Sequence, residues 1–248
     1  GFDGRVVSGS DGAHYAQIAQ KKGGKVLCDL DLADAVWKDR PAMPATAPFI
    51  LEECYSGESA EKKLSRVREA MEEKNADVHV LTSLDDIAWI LNLRANDVEC
   101  CPVFLANMVI GKEKAYLFAN EQAFGDQVKT YLNARNIELK TYDIFYEFLN
   151  DHISQNAEKP DKIKDFDDCK AQPFDANVLE PADNVRKIAD KVRVLADKGR
   201  INYRLLQLLE KSTCLINASN PSTRMKAVKN ETEIANLRKA HLMDGIAM

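Results

Sequence analysis

His14, His79, His152 and His241 are the side chains best suited to act as a base or a metal ligand at neutral pH. They are far apart, and none falls in His-Glu-x-x-His or another ligand spacing, so each reads as a satisfied or exposed histidine. The acids Asp161, Asp165, Asp167 and Asp168 could draw a cation, but they lack the glycine and terminal glutamate of a calcium loop. Asp85 and Asp86 read as first-turn acids facing a helix dipole rather than as a catalytic dyad. Arg94, near the end of the same helix, is expected to meet its last carbonyls, and it is the single candidate for binding a substrate carboxylate. The cysteines at 28, 54, 100, 101, 169 and 214 form no Cys-x-x-Cys pair, and the vicinal Cys100–Cys101 is poorly placed for an unstrained disulfide or shared metal ligation. They read as reduced, partly buried thiols. Gly-x-Ser-x-Gly, the phosphate-binding Gly-x-x-x-x-Gly-Lys-[Ser/Thr] and Gly-x-Gly-x-x-Gly are all missing. No catalytic residue and no metal ligand is assigned.

The elements around these residues are much better specified. Thr82 to Ile110 reads as a capped helix, a polar break and an apolar strand. Ser83 and Asp86 have capping-box spacing, and Leu84, Ile87, Ala88 and Leu91 make one apolar face. Trp89, Ile90 and Leu93 spread apolar surface to other faces, which predicts burial on more than one side, with Trp89 and Phe104 in the core. Val103 to Ile110 suits a strand covered on both faces.

Towards the N-terminus, Arg5-Val6-Val7 is predicted extended, Ser10-Asp11-Gly12 a turn or cap, His14–Lys21 helical with Gly23-Gly24 ending it, and Lys25–Leu32 a second strand. Three prolines between Pro41 and Pro48 mark a linker. Residues 59–75 form an amphipathic helix capped by Ser59, with Leu64, Val67, Ala70 and Met71 as its stripe. Strands are predicted at 78–81 and, across a hairpin at Gly111–Lys114, at 115–118. A helix at 121–135, a strand at 137–141 and a helix at 144–153 come next. From Gln155 to Pro181 a loop with a short helix is expected. Then come strand 191–196, helix 202–211, strand 214–217, a turn at Asn220-Pro221-Ser222, extended 225–228, and a final helix with a capping box of Asn230 and Glu233. The alternation implies an α/β domain with a mixed sheet.

Length and composition agree. At 248 residues, 45% hydrophobic and 29% charged, the chain can bury a core beneath a soluble surface. A net charge of -5 without a basic run argues against nucleic acid or an anionic membrane as partner, and no apolar run is long enough to span a bilayer. Gly1 is not an initiator methionine and the closing HLMDGIAM has no stop signal, so a piece of a longer protein is expected.

The central stretch also resembles a segment of the three-domain Xaa-Pro aminopeptidases (aminopeptidase P). Their pattern, Leu-Asp-Glu-Ile-Ala-Trp-Leu-x-Asn-Leu-Arg-Gly-x-Asp followed by Asn-Pro-Val-Phe, is met by Leu84, Asp85, Ile87, Ala88, Trp89, Asn92, Leu93, Arg94, Asp97, Pro102, Val103 and Phe104. Ala95 stands where glycine is usual and Cys101 where asparagine is usual, so Asn96 is expected to take the left-handed turn. Gly1–Arg5, Trp37–Pro41, Asn202-Tyr203, Met225–Asn230 and the helix through Glu233, Arg238, His241 and Asp244 keep the family's order.

The resemblance implies a mixed sheet flanked by helices, the ribonuclease H-like fold shared with creatinase and prolidase N-terminal domains. It divides the chain into a first-domain remnant and linker at 1–48, a middle domain at 49–222, and the entry to a pita-bread catalytic domain at 223–248. The family's dinuclear metal centre, usually manganese, is held by residues expected beyond Met248, so this chain is expected to be inactive alone and to need no cofactor. For the whole enzyme the resemblance implies removal of the residue preceding proline from proline-containing peptides, in the cytoplasm, by a homodimer. Residues 1–40, with an unpaired strand edge, are expected to join the dimer contacts. The part encoded here would shape access to the active site. A prolidase- or creatinase-like hydrolase and a stand-alone assembly module are the alternatives.

Overall fold

The computed structural model describes residues 1–31, 33–34, 36–156 and 191–247, with side chains except over 152–156. Its centre is a mixed six-stranded sheet of β2 (Val78–Leu81), β4 (Ala106–Gly111), β5 (Ala115–Ala119), β6 (Ile137–Thr141), β7 (Arg193–Ala196) and β8 (Cys214–Asn217). The order is β6-β5-β4-β2-β7-β8. β4 runs antiparallel to both β2 and β5, while the β2–β7, β7–β8 and β5–β6 pairs are parallel. A small ladder joins β1 (Phe49–Ile50) to β3 (Leu93–Arg94).

Strand alternation explains why the central strands read as continuous apolar runs. Leu81, Met108, Ile110, Leu117 and Leu195 share a core with α3 (Ala60–Glu73), α4 (Leu84–Leu91) and α5 (Asp126–Asn133). Their neighbours Val80, Val109, Phe118, Val194 and Ala196 share another with α6 (Phe145–Asn156) and α7 (Tyr203–Ser212). Both faces are covered, as strands of this composition require. Trp89 and Phe104 are buried as expected, and Ser59 accepts from the Lys62 amide as the N-cap of α3.

The N-terminal segment departs from expectation. Residues 5–7 are turn and bend rather than extended, and 25–31 carry only an isolated Asp3–Asp29 bridge instead of a strand. Helix α1 (Gly9–Lys21) begins before the predicted turn, because Ser8 caps it by accepting from the Asp11 amide. Its Gly9, Gly12, Ala13 and Ala16 side packs onto α7. Backbone bonds from Gly9 N to Ile201 O and from Tyr203 N to Val7 O fix the arm there. The proline-rich linker is tied down through Thr46, whose amide and hydroxyl both donate to Asp97 Oδ1 at 2.7 and 2.6 Å.

Three further expectations fail for local reasons. The helix predicted at 121–135 is a 3-10 turn at Glu121–Ala123 and then α5, because Gly125 is an extended N-cap between them. Asn220-Pro221-Ser222 is no turn before an extended piece: proline sits at the first position of α8 (Pro221–Ala227), where its missing N–H costs nothing. The left-handed residues of the central stretch are Asn92 (φ 50°) and Cys100 (φ 57°), not Asn96. The expected loop at 155–181, with Asp161, Asp165, Asp167, Asp168 and Cys169, lies outside the described residues from 157 onward.

Candidate functional site

The residues singled out for chemistry do not converge. His14 and His241 are exposed on separate helices, the His152 side chain lies outside the described residues, and His79 is buried in β2. Among the described residues, no group of three or more His, Cys, Asp or Glu side chains could hold a metal ion. Arg94 is occupied by its own helix end: its Nη1 donates to Ala88 O at 2.7 Å and Leu93 O at 2.9 Å. Burial lowers its pKa, with the Glu233 charge opposing.

A different set of side chains converges, at a polar junction between the central stretch and residues 220–236. Helix α4 supplies one half. Ser83 makes no capping bond with the helix, and the Asp86 carboxylate turns instead to α8. Asp86 Oδ2 accepts from Asn220 Nδ2 at 3.4 Å and Thr223 Oγ1 at 3.3 Å, and Lys226 Nζ lies 2.9 Å from Oδ1. Lys226 also bonds Asp85. Burial pulls the Lys226 pKa down, but its bonds to Asp85 and Asp86 outweigh that and raise it. The predicted capping box at 83–86 is therefore replaced by tertiary partners.

The other half surrounds Lys63 of α3, which is 1% exposed. Its Nζ donates to Asn92 Oδ1 at 2.6 Å and Trp89 O at 3.1 Å, and lies 4.3 Å from the centre of the Trp89 ring. Burial pushes its pKa down to about 8, against the opposing charges of Glu233 and Glu58. Asn92 Nδ2 donates to Glu58 O, and Trp89 Nε1 donates to Glu233 Oε1 at 3.2 Å. Glu233 belongs to α9 (Glu231–Ala247), where it completes the predicted capping box with Asn230. Asn230 Nδ2 in turn donates to Ser56 O, beside α2 (Glu53–Ser56), at 2.8 Å.

Sequence reasoning missed Lys63, although a signal was present. It lies three residues after Ala60 and four before Val67, on the apolar stripe of α3 rather than its polar face. Trp89, Asn92, Asp85 and Asp86 were visible, but as motif and core. Together they form a binding surface for the chain's own later segment.

The model of the family described as "Creatinase/Prolidase N-terminal domain" matches residues 39–233. A "Probable Xaa-Pro aminopeptidase P" of Coprinopsis cinerea is 29% identical over 253 residues, covering 100% of this chain and 36% of that relative. "Xaa-Pro aminopeptidase 1" of Dictyostelium discoideum is 30% identical over 257 residues, covering 100% and 35%. The chain thus spans about a third of the length of the curated relatives it matches. A crystal structure of the X-prolyl aminopeptidase from Caenorhabditis elegans, described as a cytosolic enzyme with a di-nuclear active site, has the same fold, with TM-score 0.76 and 19% identity over 97% of this chain and 34% of that one.

Proposed function

The chain belongs to the creatinase/prolidase N-terminal domain family, and from that premise we propose that it is the non-catalytic N-terminal and middle region of an Xaa-Pro aminopeptidase. The whole enzyme would remove the residue preceding proline from proline-containing peptides. The observation that carries this reading is the junction at Lys63, Trp89 and Asp86. Trp89 and Asp86 spend their polar atoms on Asn220, Thr223, Lys226 and Glu233, and Lys63 spends its ammonium on Asn92 and Trp89 beneath them, which suits a part that holds and orients a neighbouring domain. The named relatives, aligned along the whole chain, support the same assignment.

Under this reading residues 1–48 end a first domain, 49–222 form the middle domain and 223–248 enter the catalytic one. A dinuclear metal centre, with manganese as the metal, would lie in that catalytic domain. Among the described residues no group of three or more His, Cys, Asp or Glu could hold such a centre, and no step of the reaction is assigned to them. Nη1 of Arg94 donates to the carbonyls of Ala88 in α4 and Leu93 in β3, which speaks against the substrate-binding role. The cytoplasm is the proposed compartment. No described helix is long and apolar enough to cross a membrane. Residues 1–40 take part in dimer contacts, supported by the exposed side chains of Val6, Leu27 and Trp37.

The test is a peptidase assay on an Xaa-Pro peptide with manganese, run on this chain and on its full encoded continuation. Cleavage by the longer protein alone is expected; cleavage by the 248-residue chain would overturn the reading. Light scattering that finds the longer protein monomeric at high concentration would remove the dimer contacts.

A further inference from the structure

We propose that Lys63, Trp89 and Glu233 form a cation–π–carboxylate relay, in which the charge on Lys63 sets how firmly α9 is docked. This inference concerns the 248-residue chain itself and does not rest on the peptidase assignment.

The geometry places a cation on one side of an indole and an anion on its edge. Lys63 Nζ sits 4.3 Å from the Trp89 ring centre, and the Trp89 N–H points to Glu233 Oε1 at 3.2 Å. A cation over the face draws ring density towards itself and leaves the N–H a stronger donor; an acceptor on that N–H enriches the ring for the cation. Each contact therefore strengthens the other. Both ends are fully engaged. The ammonium has Asn92 Oδ1, Trp89 O and the ring face for its three protons. Glu233 gives its second oxygen to the Asn230 amide, at the positive end of the α9 dipole.

A buried ammonium is costly, and a methionine would fill the same space without that cost. What methionine cannot supply is a charge that responds to pH. The charged groups facing Lys63 are Glu58 ahead of α3, Arg66 on α3, Arg94 on β3 and Glu233 on α9. With Lys63 protonated, Glu233 has a compensating charge across the ring. When the proton leaves to solvent base, the ring loses its cation, the indole N–H becomes a poorer donor and Glu233 keeps only the charge of Arg94 to balance it. The hold on α9 weakens while the rest of the core is untouched.

The experiment uses a Trp37→Phe background, which leaves Trp89 as the only tryptophan. Trp89 emission and intrinsic-rate-corrected amide exchange in residues 231–236 are followed from about pH 7 to about pH 9.5. The expected result is one transition near pH 8 in both signals, with protection falling about five- to tenfold. Lys63→Arg keeps its charge throughout, so it should show no transition; Lys63→Met should be unprotected and flat. Should Lys63→Met fail to fold, Lys63→Arg decides alone. The proposal is overturned by flat α9 exchange in the parent chain, by the same transition in Lys63→Arg, or by a Trp89 transition that leaves α9 exchange unmoved.

Discussion

Asn230 and Glu233 cap one another: Asn230 Oδ1 accepts from the Glu233 amide at 2.8 Å, and Glu233 Oε2 accepts from the Asn230 amide at 2.9 Å. The pair satisfies two donors that a helix start leaves open. Asn230 also tethers α9 to the α2 turn through Ser56 O, beside Gly57 (φ 69°), where an added Cβ would lie 2.4 Å from Asn230 Oδ1. Asn230→Ala removes cap and tether together. It should cost α9 about 1–2 kcal/mol. Amide exchange should accelerate in residues 231–247 while β2 and β4 keep their protection. Equal acceleration in the sheet would show that the cap does not act locally.

That box was legible because its partners are three residues apart, and their tertiary bonds, to Ser56 O and from Trp89 Nε1, use the other atoms of the two side chains. Ser83 and Asp86 have the same spacing, yet Asp86 is taken by Asn220, Thr223 and Lys226, more than a hundred residues away. Local pattern cannot rank such distant rivals. The strand at 137–141 and the doubly covered strand before Gly111 were readable from periodicity, which depends only on which faces are buried. Lys63 was not, because a lysine on a helix is expected to reach water and only the assembled Asn92, Trp89 and Glu58 make burial tolerable. The strand expected at 25–32 is not formed over the described residues: Val26 and Cys28 pack inward, but Leu27 and Leu30 remain exposed.

The docked N-terminal arm depends on Gly12. A Cβ built there would lie 2.3 Å from Tyr203 Cγ and 2.6 Å from Tyr203 Cβ, so α1 approaches α7 as only glycine allows. Gly12→Ala should loosen the arm at a cost of about 1–3 kcal/mol. Limited proteolysis should then cut within residues 1–30 before the rest of the chain. Adding Tyr203→Ala should restore part of the lost protection, since the clash is with that ring. No recovery in the double variant would refute the stated cause.

His79 predicts an acid-side loss of stability. Its Nδ1 lies 3.0 Å from Leu195 O, an acceptor, so the neutral ring carries its proton there. Burial lowers its pKa, opposed by the Leu195 bond and the Asp86 charge. The folded chain therefore keeps His79 neutral at a pH where the unfolded chain, titrating near the ordinary value of 6.5, has taken up a proton. As pH falls through that value the unfolded state binds more protons and stability drops, by at most about 1.4 kcal/mol per pH unit. Urea midpoints at about pH 7.5 and about pH 5.5 should differ more in the parent chain than in His79→Gln. Identical differences would mean that His79 titrates alike folded and unfolded.

Asp86 is the strongest single test of the junction. It is 2% exposed, and its side-chain partners Asn220, Thr223 and Lys226 all come from α8 and its cap. Removing it leaves Asn220, which is 3% exposed, with its 3.2 Å bond to Ser83 Oγ, and leaves Lys226 only the more exposed Asp85. Breaking a buried pair from one side is worse than never having had it, but Lys226 keeps a quarter of its side-chain surface in water, which reduces the penalty. Asp86→Ala should therefore cost about 2–3 kcal/mol, most of it in α8 and α9. Asp86→Asn, which keeps the shape and one acceptor but not the charge, should cost about half as much. Exchange measurements on residues 220–236 separate the outcomes. If Asp86→Ala lowers protection across the sheet as much as in α8, Asp86 is merely a core residue and the junction has no separate existence.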